Sequence, residues 1–134
     1  MESIQIPRTI INQILAHAQC SAEEEICGLI SEKNGSVQRC YPIHNVATNP
    51  VALYRMDGKE QIDAMRQMRE NNENLFAIYH SHPHSEAYPS ATDLSEAQYP
   101  DVVYIIVSLN TKGVLDLRAY KLNGTQITPL EISL

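Results

Sequence analysis

His80-Ser81-His82-Pro83 places two imidazoles two residues apart, and after seven intervening residues come Ser90 and Asp93. The pattern, H-x-H, seven residues, S-x-x-D, offers three groups able to ligate one metal ion and one hydroxyl able to hydrogen-bond a reacting oxygen. Three protein ligands leave the fourth tetrahedral position of a zinc ion open for water, as catalysis requires, whereas four Cys or His ligands would close the site. The expectation is one zinc per chain on His80, His82 and Asp93, with Ser90 beside it.

The elements that must position these residues follow from the neighbouring sequence. Leu75-Phe76-Ala77-Ile78-Tyr79 is an apolar, partly aromatic run that reads as a buried strand. Side chains alternate faces along a strand, so His80 and His82 point the same way. Pro83 ends the strand because it cannot donate to a ladder. His84 to Pro89 reads as a loop, and Ser90-Ala91-Thr92-Asp93-Leu94-Ser95-Glu96-Ala97 as the start of a helix. Folding that loop back brings Asp93, in the first helical turn, to the strand end. Two plainer readings compete. Ser90-x-x-Asp93 is also a helix capping pattern, and paired strand histidines are often ordinary core residues. A capping box, however, does not call for two in-phase histidines just upstream, and the joint occurrence favours a metal site.

Amide hydrolysis also needs a group to accept and donate protons, with His, Glu and Asp the usual choices. The run Glu23-Glu24-Glu25 precedes Ile26-Cys27-Gly28-Leu29-Ile30, a second short strand-like segment. Glu23 and Glu24 read as solvated. Glu25 abuts the segment that enters the core, where partial desolvation would raise its pKa. Periodicity alone gives this little weight, since a charge run is usually a solvated face. Glu24 and His84 are the alternative proton carriers.

Glu25-x-Cys27-Gly28-Leu29, followed by His80-x-His82, seven residues and Ser90-x-x-Asp93, resembles the JAMM motif of the MPN-domain metalloproteases, in their compact prokaryotic form. The resemblance covers nearly the whole chain. It implies zinc on His80, His82 and Asp93, Glu25 as general acid/base, and Ser90 as the residue that stabilises the tetrahedral oxyanion. All five positions match, unlike the inactive members that have lost ligands. It also implies the MPN fold, a curved mixed β-sheet flanked by helices. The implied activity is zinc-dependent hydrolysis of an amide bond after the Gly-Gly tail of a ubiquitin-like or sulfur-carrier protein. The chain looks too short to hold the insertions with which eukaryotic deubiquitinases grip a second ubiquitin.

Bulk properties narrow the classes. The 134 residues suit one domain, 1–134, with a real core. No stretch approaches the ~20 apolar residues of a membrane helix, and Met1-Glu2-Ser3-Ile4-Gln5 has no signal-peptide character. Cys20, Cys27 and Cys40 are an odd set without C-x-x-C, which fits the cytoplasm better than a disulfide framework. Cys27 reads as a small buried residue rather than a nucleophile, and its disulfide state is left open. Ten basic against 16 acidic side chains, a net charge of −6, argue against nucleic-acid binding.

Along the chain, Ile10, Ile11, Ile14, Leu15 and Ala18 predict a helix from Pro7 to Cys20. Strands are expected over Ile26–Ser31 and Val37–Pro42 around Lys33-Asn34-Gly35, and a short one over Ala52–Met56. Asp57 should cap a helix over Gly58–Asn72, with Glu60 completing a capping box and Ile62, Met65 and Met68 facing the core. Asp101–Leu109 should be a strand, and Leu115–Lys121 and Gln126–Ile132 a hairpin around Asn123-Gly124. The mixture predicts an α/β or α+β domain. Asn45–Met56 is the candidate edge for an extended tail, equally readable as an ordinary loop and strand, with Tyr54, Arg55 and Asp57 possible substrate contacts. Two rival functions are a non-catalytic module of the same fold and a zinc hydrolase of a small-molecule or cell-wall peptide. The C-x-x-C of zinc deaminases is absent.

Overall fold

The computed structural model describes residues 1–110 and 115–134. Its elements are β1 (Ser3–Gln5), α1 (Arg8–Gln19), β2 (Cys27–Lys33), β3 (Ser36–Ile43), α2 (Gly58–Glu70), β4 (Asn74–His82), α3 (Ala91–Glu96), β5 (Val103–Ser108), β6 (Asp116–Asn123) and β7 (Gln126–Ser133). The strands form one mixed sheet in the order β1-β7-β6-β5-β4-β2-β3. Among the described residues, only β4–β5 and β1–β7 run parallel. The β4–β5 pair therefore needs a crossover, and the loop after His82 with α3 supplies it. This is the α+β architecture expected.

Alternation along the central strands divides the core in two. Ala77 and Tyr79 of β4 join Ile30, Val103, Ile105 and Val107 beneath Ile10, Ile14 and Ala18 of α1. Ile78 of β4 joins Cys27, Leu29, Tyr104 and Ile106 beneath Ala64 and Met68 of α2, with Leu94 of α3 at the margin. His80 and His82 share the parity of Ile78, so they face the α2–α3 side.

Gly28 pairs with Tyr79 across β2 and β4. A side chain at Gly28 would strike the end of the Tyr79 ring. That ring is fully buried, and its hydroxyl lies 2.8 Å from His17 Nδ1. Gly28→Ala should therefore displace Tyr79 and destabilise the fold by ~1–3 kcal/mol, the usual cost of overpacking. Chemical denaturation of the variant checks this; an unchanged midpoint would contradict the contact.

Several expectations need correction. Ala52–Met56 is not a strand. Met56 makes a single bridge to Asn45, and residues 51–55 are turn and irregular backbone. Ile62 is 62 % exposed, and Ala64 takes the core position with Met68. Asp57 does cap α2, accepting from the Glu60 amide at 3.0 Å, but Glu60 does not close the box. Its carboxylate binds the His44 amide and ring nitrogen instead, at 3.0 and 2.8 Å. The β6–β7 turn falls one residue later than expected, on Gly124-Thr125, with Gly124 at φ 61°. This is the left-handed conformation a tight hairpin assigns to glycine. Strand β1, three residues long, was not foreseen; so short an element shows no periodicity. All three cysteines are free.

Candidate metal centre

The register of β2 against β4 assembles most of the site. Cys27 lies opposite His80. One step further, Ile26 and Ser81 exchange bonds: the Ser81 amide donates to the Ile26 carbonyl at 3.0 Å, and the Ile26 amide to Ser81 Oγ at 2.9 Å. The next step sets Glu25 opposite His82. Opposed residues of an antiparallel pair share a face, so Glu25 joins the histidines on the α2–α3 side. Its neighbours Glu23 and Glu24 are solvent-exposed, as expected, while Glu25 is only 5 % exposed.

His80 and His82 are 1 % and 3 % exposed. The His82 ring is oriented from behind, because its Nδ1 donates to the Glu86 carbonyl at 2.8 Å. The loop carrying Glu86 is itself pinned. Ser108 Oγ donates to the Ser85 carbonyl at 2.6 Å and the Tyr120 hydroxyl to the Ala87 carbonyl at 2.5 Å. With its proton on Nδ1, His82 presents the Nε2 lone pair to the site, the arrangement usual for metal-binding histidines.

Helix α3 delivers the third group. Ser90 is its N-cap, and the capping box is complete: the Asp93 amide donates to Ser90 Oγ at 3.0 Å, and the Ser90 amide to Asp93 Oδ2 at 2.9 Å. The same Oδ2 lies 3.2 Å from His80 Nε2 and 3.1 Å from His82 Nε2. Cap and ligand were competing readings of Asp93, and the cap is present without excluding the other. The cap aims the carboxylate at the histidines.

The two Nε2 atoms are 3.1 Å apart, which completes a near-equilateral triangle. With His82 neutral and its proton on Nδ1, its Nε2 has none to give and His80 Nε2 has at most one, so protons do not fill every edge of the triangle. A cation satisfies all three. Tetrahedral bonds of ~2.0–2.1 Å place zinc ligands about 3.4 Å apart, close to what is seen, and two imidazoles with a carboxylate are a zinc donor set. Among the described residues these three could hold a metal ion. The two imidazoles shift in opposite directions. Burial pushes the His80 imidazole pKa down, favouring the neutral, ligating form. Burial pushes His82 down too, but its hydrogen bonds to Asp93 and Glu86 outweigh it and raise the group. Burial pushes the Asp93 carboxyl up, but the hydrogen bonds from His80 and His82 outweigh it and hold the group well below the carboxylate range.

Glu25 Oε1 is buried with no hydrogen-bond partner among the described residues. Burial raises its carboxyl from an ordinary 4.5 to about 8, with His82 opposing and Asp93 reinforcing the shift. A folded-state pKa above the unfolded one favours protonated Glu25. Its contribution to stability is complete below about pH 4.5 and lost as pH rises through about 8. In chelator-treated protein, the stability of wild type relative to Glu25→Gln should thus fall between those pH values. A pH-independent difference would contradict the burial.

Other expected participants stand apart. His84 is exposed and pairs with Glu23 at 3.3 Å. Burial raises the Cys27 thiol to about 12, with Glu25 and Glu60 adding to it, so Cys27 is no nucleophile. Asp57 is spent on its cap. Arg55 lines a recess of about 450 Å³ with Leu53, Thr92 and Tyr99. Tyr54 lines it too, but its ring also stacks on His80 with centroids 4.6 Å apart. No sequence signal marked that contact. A larger hollow of about 570 Å³ on β6 and β7 shares no residue with the site.

Fold and site define the class. The profile of the prokaryotic homologs of the JAB domain matches residues 7–123, and the chain belongs to that family, the prokaryotic JAB/MPN proteins. It is 36 % identical over 121 residues to the CysO-cysteine peptidase of Mycobacterium tuberculosis strain H37Rv, covering 89 % of this chain and 82 % of that protein. It is 29 % identical over 128 residues to the desampylase of Haloferax volcanii, covering 91 % and 89 % of the two chains. A JAB1/MPN domain protein from Archaeoglobus fulgidus shares the fold at 20 % identity with a TM-score of 0.65, over 99 % of this chain and all of the other. Among the described residues no helix is long and apolar enough to cross a membrane.

Proposed function

We propose that this chain is a zinc-dependent peptidase that hydrolyses the amide bond after the Gly-Gly tail of a ubiquitin-like or sulfur-carrier protein. The observation that carries the reading is the convergence of His80 Nε2, His82 Nε2 and Asp93 Oδ2 on one point, on the face where buried Glu25 also lies. The substrate class is supported by the names of the relatives, a CysO-cysteine peptidase and a desampylase. Three unpaired cysteines suit the cytoplasm.

His80, His82 and Asp93 would hold one zinc ion per chain. When bound, zinc supplies a Lewis acid and lowers the pKa of a coordinated water. Glu25 accepts a proton at its carboxylate and returns it to the departing amine nitrogen. A carboxyl whose pKa lies near neutrality serves both halves of that transfer. Ser90 Oγ accepts from the Asp93 amide, which leaves its own O–H free to donate to the carbonyl oxygen as charge builds there.

Ser90→Ala separates chemistry from capping. The backbone amide that holds Asp93 Oδ2 survives the substitution, so zinc content should stay. Turnover should fall ~10²–10³-fold, while loss of the cap costs only ~0.5–2 kcal/mol. Unchanged turnover with a lowered melting temperature would reduce Ser90 to a cap. The reading as a whole is tested by mass spectrometry of a carrier protein extended beyond its Gly-Gly. Cleavage after the second glycine is expected, and an intact substrate would overturn the assignment.

A further inference from the structure

The two histidines of the centre are held by different means. His82 is fixed by its Nδ1 bond to Glu86. His80 Nδ1 is buried and has no partner among the described residues. A metal-binding imidazole ordinarily takes its orientation from a hydrogen bond at its second nitrogen. His80 lacks one, so packing must fix its ring.

The His82 ring meets the His80 imidazole edge-on at 4.9 Å, and Tyr54 covers its face, stacked at 4.6 Å and 29°. Tyr54 belongs to no strand or helix, so something must hold it there. That group is the Asn45 side-chain amide. Its Nδ2 donates to the carbonyl of Leu53 at 3.1 Å, and its Oδ1 accepts from the amide of Arg55 at 2.9 Å. The residues on both sides of Tyr54 are thereby tied to one side chain. The same Nδ2 donates to the Glu25 carbonyl at 2.9 Å, and the Glu25 amide donates to the Pro50 carbonyl at 2.8 Å. One loop thus bears on the backbone of the proposed proton carrier and on the ring of a proposed ligand.

We infer that Tyr54 is the positioning residue for His80, in place of the missing hydrogen bond, and that Asn45 holds Tyr54 on the ring. The inference rests on the zinc reading above. It requires the aromatic face of Tyr54 and not its hydroxyl. It also makes Asn45 a residue whose loss is felt at the metal, although it contacts no proposed ligand.

The test is zinc affinity by competition with a chromophoric chelator, together with the visible absorption spectrum of cobalt-substituted protein. Tyr54→Phe keeps the face and should match wild type in both. Tyr54→Leu should weaken zinc binding about 10–100-fold, the usual cost of losing an orienting partner, and alter the cobalt bands. Asn45→Asp, which loses both Nδ2 donations, should move both readouts in the same direction. Melting of the metal-free proteins shows whether each variant is folded; Tyr54→Met replaces Tyr54→Leu if that chain does not fold. Wild-type affinity and spectrum in folded Tyr54→Leu would overturn this inference alone, as would equal damage from Phe and Leu. A wild type with no zinc affinity would overturn the zinc reading and this inference with it.

Discussion

The double variant His80→Ala, His82→Ala is expected to purify without zinc and to show no turnover above the uncatalysed rate. Wild type should carry about one equivalent, as an open three-ligand site requires. Two of the three converging atoms are then gone, and a single carboxylate does not retain the ion. A Lewis acid at the reacting carbonyl is worth several kcal/mol, and each ~1.4 kcal/mol is a factor of ten in rate. Because the imidazoles are buried, their removal also leaves cavities, so Asp93→Asn is the companion variant. It keeps side-chain volume and an acceptor for the Ser90 amide while removing the charge, and it should bind zinc more weakly at little cost in folding. Elemental analysis beside a turnover assay decides the matter. Full zinc occupancy in the double variant would place the metal elsewhere.

Glu25→Gln should behave in the opposite way, retaining zinc and fold while turnover drops ~10²–10⁴-fold, the range for a positioned acid/base group. Gln matches the shape of Glu and removes only the ability to carry a proton. The site loses no ligand, since Glu25 is not one of the three converging groups. The fall should appear in kcat more than in KM, as expected for an interaction made in the transition state. Near-normal turnover would hand the role to another group. Glu24 and His84 are exposed, and His84 is paired to Glu23, so neither stands ready to take it.

What could be read from sequence followed the range of the forces involved. The histidine pair was legible because a strand has period two and Pro83 marks where it stops. Asp93 was legible because capping is local, written within four residues. Glu25 was half legible. Its place in a charge run argued for solvent, and only the pairing of Cys27 with His80, between strands 53 positions apart, turns it inward. Asn45 as an anchor was illegible. Its four bonds run to backbone groups of Glu25, Ala47, Leu53 and Arg55, and backbone groups leave no mark on residue identity. The failed strand at Ala52–Met56 has the same origin. Leu53 and Arg55 are tied to the Asn45 side chain on either side of Tyr54, and Met56 makes a single bridge to Asn45 instead of a ladder. Ile62 failed because the inward face of α2 runs through Ala64 and Met68, four residues apart, and a position two residues before Ala64 falls on the other side of the helix.

The measurement that bears most directly on the proposed activity is zinc titration into chelator-stripped protein, with cleavage of a Gly-Gly-tailed amide followed at each addition. Stripped protein should be inactive, and turnover should rise linearly and level off at about one equivalent per chain. Full turnover by the stripped protein, or zinc bound to saturation with no cleavage after the glycines, would contradict it.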